Sequence, residues 1–596
     1  MPKLTLAQAF DLARQQQQAG QMAEAASLYQ QIFRYAPNHA GAAHQLALIN
    51  QQQGNIEQAI ALARQAVSGD PQAAEHHSLL GVLLTAQGQL DQAIAELRQA
   101  LALGANDAQV HNALGAALLW KEDLDAAADA FRSATTLAPT SGIAWNNLGN
   151  ALLSAGQQDQ AIDAYRQAMR VQPNLAMAAS NLLYAMNYSA QYSLEQIVVE
   201  HRKWDETFGA AALVHGVAHE PATHTCAKAH PTETSQSFSR RLRVGYVGRQ
   251  LHDHPQGRLL LPLLAHHDRS HFEIIAYSGA FKEDAISQRL KSHCDHWRQT
   301  GALSDEQLAE MIRQDGVDIL VDLGMHMSNS RLLTFAHKPA PVQATWLGYP
   351  GTTGLSTMDY RLSDPYLDSP GTQQLYVERT IQLPATWWCY DPIDGGPPIG
   401  RLPAQQSGSF TFGCLNNFVK VTEITLESWG RILSAVRNSR MILLAPYGKA
   451  RQRVLEKLGQ FGIESSRIEF SARLAHADYL NLYNRIDLCL DTFPYNGHTT
   501  TLDALWMGVP TVTMPGAIPV ARGGLSIMTN AGLTDFIAAD AEQLVQLAIE
   551  RASNTSLLME LRRTMRDRMQ NSPLMDAPRF ARDMEAAYRQ MCFVQR

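Results

Sequence analysis

The sequence of 596 residues has little of what marks several large classes of protein. Its six cysteines are scattered and form no Cys-x-x-Cys pair, which argues against zinc fingers and against a disulfide framework. The net charge is -7 and lysine and arginine do not cluster, so we expect no nucleic-acid partner. We find no apolar run of about 18 residues and no apolar signal core at the N-terminus, so we expect a cytoplasmic protein without membrane association.

Several ligand-binding motifs are also missing. The sequence has neither a Gly-x-Gly-x-x-Gly loop, which disfavours a dinucleotide dehydrogenase, nor a Gly-x-x-x-x-Gly-Lys-Ser/Thr loop, which disfavours a P-loop NTPase. The α/β part lacks an Asp-x-Asp motif that would hold a metal. In His252-Asp253-His254 the two histidines point to opposite faces if the segment is extended, so a structural metal is not expected there. We therefore predict that the protein needs no metal and no cofactor.

The first third of the chain repeats itself with a period of 34 residues. Turn positions recur at Gly20, Gly54, Gly88, Glu122 and Gly156, alanines at Ala25, Ala59, Ala93, Ala127 and Ala161, and helix-ending positions at Pro37, Pro71, Ala105, Pro139 and Pro173. This period, together with recurring Leu-Gly pairs, is the tetratricopeptide signature. We predict five repeats over residues 6–175 and a capping helix over 176–190, which together form an α-solenoid with a concave groove.

The groove has a candidate peptide-binding feature. Asn112, Asn146, Asn147 and Asn181 lie on the first helices of their repeats, where some could hydrogen-bond an extended peptide backbone, although solvated surface is the simpler reading for any one of them. A homo-oligomer is a further prediction, because solenoid faces often self-associate.

After the repeats, the pattern changes to alternating strands and helices. We predict a solenoid domain over 1–192, a connecting helix and polar linker over 193–240, and two α/β lobes over 241–400 and 401–596. Predicted strands lie at 242–248, 272–278 and 317–323 in the first lobe, and at 410–415, 440–445, 468–470 and 488–490 in the second. Helices of about 10 to 15 residues between strands indicate parallel, doubly wound, Rossmann-like lobes, whose ligands bind beyond the carboxyl ends of the strands.

Residues 487–515 are the most informative stretch. They predict a buried strand, a turn at 496–501, a helix and a second buried strand. The turn combines unpaired helix N–H groups with three threonine hydroxyls and the imidazole of His498, a combination that attracts phosphate. Asp503, one turn into the helix, is placed to accept hydrogen bonds from a ribose. An ordinary threonine-capped helix is the alternative reading.

Four stretches of the α/β part closely resemble the O-GlcNAc transferase family. They are residues 243–247 with 253–255, residues 340–354 (APVQATWLGYPGTTG) ending in 358–360, residues 416–420 (NNFVK), and residues 496–516. The resemblance covers most of 242–592, and the repeats in front match the domain order of that family.

This resemblance implies an inverting, metal-independent glycosyltransferase with two lobes of GT-B type. It would move GlcNAc from its donor substrate UDP-GlcNAc to serine or threonine hydroxyls of protein or peptide acceptors along the repeat groove. Implied catalytic residues are Lys420, which neutralises the leaving diphosphate, and His254, a candidate for proton transfer or for a hydrogen bond to sugar or acceptor. The implied substrate-binding residues are Asn417, Lys420, Tyr479, His498, Thr499, Thr500, Asp503 and His326.

The sequence also departs from the animal enzymes of that family. Where those enzymes have a Lys and a His before the 488–490 strand, ungapped counting finds His476 and Tyr479, of which Tyr479 could still stack on a nucleobase. The Asn416-Asn417 pair and His326 resemble SPINDLY-type protein O-fucosyltransferases, which use GDP-fucose, whereas His498 and Asp503 resemble the GlcNAc enzymes.

Two alternatives therefore stay open. One keeps the fold and reaction but uses GDP-fucose or another nucleotide sugar as donor. The other is a tetratricopeptide scaffold with an inactive transferase domain, against which the charged and hydroxylic residues at 254, 420 and 498–500 argue.

Overall fold

The computed structural model describes residues 4–215, 240–280 and 283–594. Most of the predicted polar linker, at 216–239, lies outside the described residues. The chain divides into two compact units, one of residues 1–155 with 170–172 and one of residues 156–169 with 173–596. The division falls inside the last predicted repeat, and the predicted solenoid boundary at residue 192 stays a prediction. Residues 156–169 group with the α/β part because they hydrogen-bond to it.

The repeats consist of helices at the predicted spacing. These helices are α1 (Leu6–Gln18), α2 (Met22–Tyr35), α3 (Ala40–Gln52), α4 (Ile56–Gly69), α5 (Ala74–Ala86), α6 (Leu90–Ala102), α7 (Ala108–Trp120), α8 (Leu124–Leu137), α9 (Gly142–Ser154) and α10 (Gln158–Val171). Those of the first four repeats pack in pairs, α1 on α2, α3 on α4, α5 on α6 and α7 on α8. The recurring alanines at 25, 59, 93, 127 and 161 are all fully buried. A β-carbon added at Gly81 would lie 2.5 Å from Cγ of Leu97, so the Leu-Gly pair lets the helices of one repeat approach closely. Small residues at these positions therefore explain the period.

The asparagines of the first helices behave differently from one another. Asn146 is fully buried, so it cannot face a groove. Asn112 and Asn147 are half-buried, and Nδ2 of Asn147 donates to Oδ1 of Asn112 over 3.0 Å. These two side chains thus join successive repeats and keep part of their surface exposed.

Three helices follow the repeats: α11 (Ala176–Met186), α12 (Leu194–Trp204) and α13 (Ala210–His215). The predicted helix over 193–209 corresponds to α12 and the π-helical turn Asp205–Gly209. Ser193 starts α12 with a capping box, in which its hydroxyl and the side chain of Gln196 satisfy each other's backbone N–H groups.

The first lobe is a seven-stranded parallel sheet of order β3-β2-β1-β4-β5-β6-β7. Its elements are β1 (Leu242–Gly248), α14 (Pro255–His266), β2 (Phe272–Ser278), α15 (Ala285–Ser292), β3 (His296–Gln299), α16 (Asp305–Gln314), β4 (Ile319–Asp322), α17 (Leu332–Ala336), β5 (Val342–Thr345), β6 (Tyr360–Ser363) and β7 (Arg379–Gln382). The apolar runs of β1, β2 and β4 are buried on both faces, which is what made them recognisable.

The strands β3, β5, β6 and β7 were not predicted. β3 is a half-exposed edge strand without an apolar run, so it has no periodic signal. β6 contains Arg361, which is fully buried because its guanidinium pairs with Asp368 at 3.1 Å. A charged residue in a short strand conceals it from hydrophobic pattern analysis.

The second lobe is a five-stranded parallel sheet of order β10-β9-β8-β11-β12. Its elements are α18 (Pro403–Ser407), β8 (Phe410–Cys414), α19 (Glu423–Ala435), β9 (Ser439–Leu444), α20 (Lys449–Gly459), β10 (Ile468–Ser471), α21 (His476–Leu482), β11 (Leu488–Leu490), α22 (Thr499–Trp506), β12 (Thr511–Val512), α23 (Gly523–Asn530), α24 (Ala541–Ser553), α25 (Thr555–Gln570) and α26 (Ala577–Val594). The predicted strand, turn, helix and strand of 487–515 are β11, the loop that follows it, α22 and β12.

The last helix returns to the first lobe. α26 packs on α14, and the hydroxyls of Tyr588 and Tyr246 lie 2.9 Å apart. Oε1 of Glu585 accepts a hydrogen bond from Nδ1 of His267 over 3.0 Å. The sequence predicts that residues 573–596 form a helix that packs back across the lobes, and α26 makes such contacts with the first lobe.

Candidate functional site

The candidate site lies where the strand order of each sheet reverses. In the second lobe, β8 and β11 are neighbours in the sheet, and the chain leaves them to form helices on either side. In the first lobe, β1 and β4 are the corresponding pair. The carboxyl ends of such strand pairs open into a crevice, which is the usual ligand site of open α/β sheets. Lys420 follows β8, His498 follows β11 and His254 follows β1.

Lys420 ends a short 3₁₀ turn, Phe418–Lys420, which the side chain of Asn417 caps by accepting from the N–H of Val419. The Lys420 amine donates to the carbonyl of Asn496 over 2.7 Å and lies 4.0 Å from the ring centre of Tyr495. Burial lowers the pKa of Lys420 to about 7. The structure thus places an amine with a pKa near neutral beside the turn at 496–501 for which the sequence predicts phosphate binding.

Asp491, at the end of β11, fixes the loop that faces Lys420. Its Oδ1 accepts from the N–H groups of Gly497 at 2.6 Å and Thr492 at 2.8 Å, and from the side-chain amide of Asn416 at 3.2 Å. Its Oδ2 accepts from the hydroxyl of Thr513 at 2.6 Å. Burial raises the pKa of Asp491, and these donors oppose that rise. The carboxylate therefore acts as the structural centre of the loop.

Gly497 lets the loop approach the start of α22. A β-carbon there would lie 2.6 Å from the hydroxyl oxygen of Thr501 and 2.7 Å from Oδ1 of Asn416. Side chains larger than hydrogen would therefore push the loop away from the helix. The hydroxyl of Thr501 donates to the carbonyl of Gly497 over 3.0 Å, which closes this contact.

The three predicted residues at the start of α22 are half-buried and close together. His498 precedes the helix, and its Nε2 lies 3.2 Å from the carbonyl of Val520. Burial lowers the pKa of His498 well below its ordinary value, so the ring is neutral at pH 7 and donates through Nε2. Thr499 opens the helix, and the hydroxyl of Thr500 donates to Oδ1 of Asn416. The start of α22 offers the N–H groups that a diphosphate requires.

Asp503 lies one turn further and is buried. Its carboxylate accepts from the hydroxyl of Tyr390 at 2.8 Å and from that of Tyr479 at 3.1 Å. Burial raises the pKa of Asp503 to about 6. The structure therefore joins Asp503 and Tyr479, as two predicted site residues, through a direct hydrogen bond. The ribose contact predicted for Asp503 and the base contact predicted for Tyr479 stay predictions.

His254 is the N-cap of α14 in the first lobe. Its Nδ1 accepts from the N–H of Gln256 at 3.2 Å, so Nδ1 carries no proton. Burial, with the neighbouring His252, lowers the pKa of His254 to about 4. At neutral pH the proton of the ring is therefore on Nε2, and His254 presents a hydrogen-bond donor.

The two lobes meet beside these residues. Arg258, one turn after His254, contacts Nδ1 of His476 on α21 at 2.6 Å and pairs with Asp253 at 2.5 Å. The ring of His476 stacks on Tyr479, with centres 6.0 Å apart. Arg258 thereby connects the loop of His254 to His476 and Tyr479 on α21 of the second lobe.

His326 does not join this group. It is fully buried, and its ring nitrogens lie 3.2 Å from the hydroxyl of Ser180 and 2.7 Å from the carbonyl of Thr353. The rings of His201 and Trp204 pack against it edge-on, and burial lowers its pKa well below the ordinary value. His326 thus packs the junction between α12 and the first lobe, and its predicted contact with the substrate stays a prediction.

Sequence reasoning missed several residues of the site. The sequence indicates only that Asp491 ends a buried strand. Its neighbours in the sequence do not show that its carboxylate accepts four hydrogen bonds. Tyr390 lies in the segment between the lobes, where no motif marks it. Within the described residues no cluster of three or more His, Cys, Asp or Glu side chains forms a metal site, and none of the helices is long and apolar enough to cross a bilayer.

Taken together, the elements define a repeat-bearing protein with two parallel, Rossmann-like α/β lobes. The sequence matches the family model of glycosyl transferase family 41 over residues 215–394 and 402–584. Models of the tetratricopeptide repeat match residues 16–81, 50–117 and 142–175. The chain therefore belongs to glycosyl transferase family 41 and carries tetratricopeptide repeats.

Named relatives support this membership. The chain is 37% identical over 421 residues to the "Probable UDP-N-acetylglucosamine--peptide N-acetylglucosaminyltransferase SPINDLY" of Arabidopsis thaliana, a match that covers 69% of this chain and 44% of that protein. It is 24% identical over 479 residues to the UDP-N-acetylglucosamine--peptide N-acetylglucosaminyltransferase of Caenorhabditis elegans, covering 61% of this chain and 42% of the other. The matched part thus amounts to less than half the length of these relatives.

A solved structure is similar over nearly the whole chain. The structure of a mutant of the Thermobaculum terrenum O-GlcNAc transferase has a TM-score of 0.74 and 31% sequence identity, and the match covers 93% of this chain and 97% of that one. This similarity confirms the predicted order of a helical solenoid followed by two parallel α/β lobes.

Proposed function

We propose that the protein is an inverting glycosyltransferase that moves GlcNAc from UDP-GlcNAc to serine or threonine hydroxyls of proteins without a metal. The observation that carries the proposal is the juxtaposition of the Lys420 amine with the phosphate-binding start of α22 at the strand reversal of the second lobe. Family membership and the names of the relatives support the same reaction. The two lobes correspond to the GT-B arrangement.

Lys420 supplies the charge that the leaving group needs. In the transfer, the bond between the sugar C1 and the phosphate oxygen breaks, and its electron pair stays on the diphosphate. An ammonium group and helix N–H groups stabilise the negative charge as it develops. Because free Lys420 has a pKa of about 7, a bound diphosphate would favour its protonated form.

The acceptor hydroxyl forms the new bond to C1 from the face opposite to the diphosphate, which inverts the configuration there. Its proton must leave as the bond forms. His254 holds its own proton on Nε2 because Nδ1 accepts from Gln256, so in this arrangement it donates to the sugar or acceptor oxygen and does not take the proton. We propose that His254 orients the reactants and that another group accepts the proton.

Protein acceptors are proposed to bind along the solenoid. The half-buried pair Asn112 and Asn147 presents amide groups on successive repeats, and amides of this kind can bind an extended peptide backbone without regard to its sequence. A cytoplasmic location remains part of the proposal.

GDP-fucose is the second candidate donor. The Asn416-Asn417 pair resembles the SPINDLY-type O-fucosyltransferases, although the names of the SPINDLY relatives, at about 37% identity, give UDP-N-acetylglucosamine as donor. Tyr479 also stands where the animal enzymes of the family have a histidine. These observations keep the alternative donor open for a direct comparison.

Calorimetric titration with UDP, UDP-GlcNAc and GDP-fucose, in buffer with a metal chelator, tests the proposal. We expect UDP and UDP-GlcNAc to bind the wild-type protein and to bind more weakly to Lys420→Ala. Incubation with UDP-GlcNAc and a peptide library should then add one N-acetylhexosamine to serine or threonine, as detected by mass spectrometry.

Three outcomes would change the conclusion. Binding of GDP-fucose alone, with a deoxyhexose added to the peptides, would replace the donor. A requirement for added divalent metal would overturn the metal-free mechanism. Absence of binding by all three compounds would favour the scaffold alternative.

A further inference from the structure

The turn that carries Lys420 is held by a residue of the last repeat. Nε2 of Gln158, the first residue of α10, donates to the carbonyl of Val419 over 2.6 Å and lies 3.4 Å from that of Val421. These are the carbonyls on either side of Lys420 in the chain. A 3₁₀ turn leaves such carbonyls without helical partners, so a donor from outside fixes their direction.

Gly156, two residues before Gln158, packs closely against the same 3₁₀ turn. A β-carbon at Gly156 would lie 2.9 Å from the ring of Phe418, and its carbonyl accepts from the guanidinium of Arg453 over 2.9 Å. The start of α10 is therefore fitted against the lysine turn both by shape and by hydrogen bonds.

A second contact acts on Lys420 through Tyr495 and comes from the segment after α11. The ring of Tyr188 stacks on that of Tyr495, with centres 4.8 Å apart and planes 11° from parallel. Tyr495 is the ring over which the Lys420 amine lies at 4.0 Å. Both tyrosines are buried, and the hydroxyl of Tyr188 bonds to that of Tyr184 on α11 over 2.5 Å.

These contacts matter because few other interactions stabilise the charge of the Lys420 amine. The carbonyl of Asn496 is its one hydrogen-bond acceptor among the described residues, and the carboxylate of Asp491 already accepts from four donors. A poorly solvated ammonium is stabilised by an aromatic face only when that face is held in position. The stacking of Tyr188 provides this restraint for Tyr495.

We propose that Gln158 and Tyr188 are positioning residues for Lys420, so the last repeat and the segment after it support the catalytic group indirectly. Their side chains touch neither the donor nor the acceptor in this proposal. They act through the 3₁₀ turn and through Tyr495. The inference rests on the proposed function, in which Lys420 stabilises the leaving diphosphate.

Kinetics of three variants and two controls test the proposal. Tyr188→Leu removes the stacking, and Gln158→Ala and Gln158→Glu remove the donor. We expect kcat for transfer from UDP-GlcNAc to fall about three- to tenfold in these variants, since an aromatic pair or a hydrogen bond contributes about 1 kcal/mol. The donor KM should change less than about twofold, because the amine interacts most with charge developed in the transition state.

Two substitutions serve as matched controls. Tyr188→Phe keeps the stacked ring and should keep kcat within about twofold of the wild type. Gln160→Ala changes an exposed glutamine two residues along the same helix and should leave kcat and KM unchanged. Melting temperatures measured by circular dichroism identify any variant whose loss of activity comes from unfolding.

Chemical labelling gives a readout that does not depend on the donor. The rate at which an amine-reactive reagent modifies Lys420, relative to the exposed Lys291, is measured by mass spectrometry in each variant. We expect a severalfold change in Tyr188→Leu and Gln158→Ala, and none in Tyr188→Phe or Gln160→Ala. This result would support positioning even if the wild type showed no transfer, in which case only the proposed function would fail.

The proposal is overturned if folded Tyr188→Leu and Gln158→Ala proteins keep both wild-type kcat and the wild-type labelling rate. It is also overturned if Tyr188→Phe loses as much activity as Tyr188→Leu, since the hydroxyl bond and not the stacked ring would then be responsible.

Discussion

The two strand-reversal points of the α/β lobes are built in different ways. Beyond β8 and β11, the carboxylate of Asp491 joins the loop to Asn416 and Thr513 through several short hydrogen bonds. Beyond β1, the His254 ring accepts a hydrogen bond from the N–H of Gln256 and keeps part of its surface exposed. The second lobe thus holds fixed groups that suit a diphosphate, whereas the first offers one ring that can meet several partners.

The largest expected effect comes from removing the Lys420 amine of the second lobe. Lys420→Ala should lower kcat by about a hundredfold or more, because one donor lost from a site of developing negative charge typically costs about 3 kcal/mol. Steady-state transfer from UDP-GlcNAc measures the change. A variant that keeps more than about a third of the wild-type kcat would show that charge neutralisation comes from elsewhere.

The closely packed loop around Gly497 should also be sensitive to added side-chain volume. Gly497→Ala would place a β-carbon 2.6 Å from the Thr501 hydroxyl, so we expect UDP to bind at least about tenfold more weakly and the melting temperature to fall. The matched control is Gly459→Ala, where a β-carbon would meet nothing within 4 Å. Equal behaviour of the two variants would contradict the close fit.

The pH dependence should also come from the second lobe. Because the pKa of Lys420 is lowered to about 7, the free enzyme loses this charge as pH rises through 7, and kcat/KM should fall about tenfold per pH unit above it. The diphosphate favours the charged amine, so the decline of kcat should lie at higher pH. Lys420→Arg stays charged and should lose this limb, while retention of the limb would assign it to another group.

The titration of Lys420 should make folding stability rise with pH, whereas it makes kcat/KM fall. Its pKa is lower in the folded than in the unfolded state, so between about pH 7 and 10.5 the unfolded chain binds more protons and stability rises with pH. Urea unfolding at pH 7 and pH 9 should show a smaller rise for Lys420→Met than for the wild type. An identical rise in both proteins would mean that Lys420 does not titrate in this range.

The smallest effect is expected in the first lobe. His254→Ala should lower kcat about tenfold, since it removes one hydrogen-bond donor, and His254→Asn should recover part of the loss. The pKa of His254 is about 4, so the wild-type kcat should show no acid limb near pH 6.5 that depends on this residue. An acid limb that disappears in His254→Asn would instead make the histidine a base.

Much of the architecture follows from sequence periodicity. The 34-residue period and the buried alanines predict the paired helices, and the apolar runs of β1, β2 and β8 predict two parallel sheets. Short or charged strands such as β3 and β6 give no such signal. The predicted site residues after β8 and β11 do lie together, because parallel strands end at the same edge of a sheet.

The sequence by itself determined the repeat solenoid, the two α/β lobes and the motif of Lys420 and His498, because these features depend on local spacing and residue type. Only the tertiary structure decided that Asp491 is the centre of the loop, that Tyr390 bonds Asp503, and that His326 is buried. It also decided that Gln158 reaches the lysine turn across 261 positions of the chain. Such contacts depend on how distant segments pack, and hydrophobic periodicity specifies which face of an element is buried but not its partner.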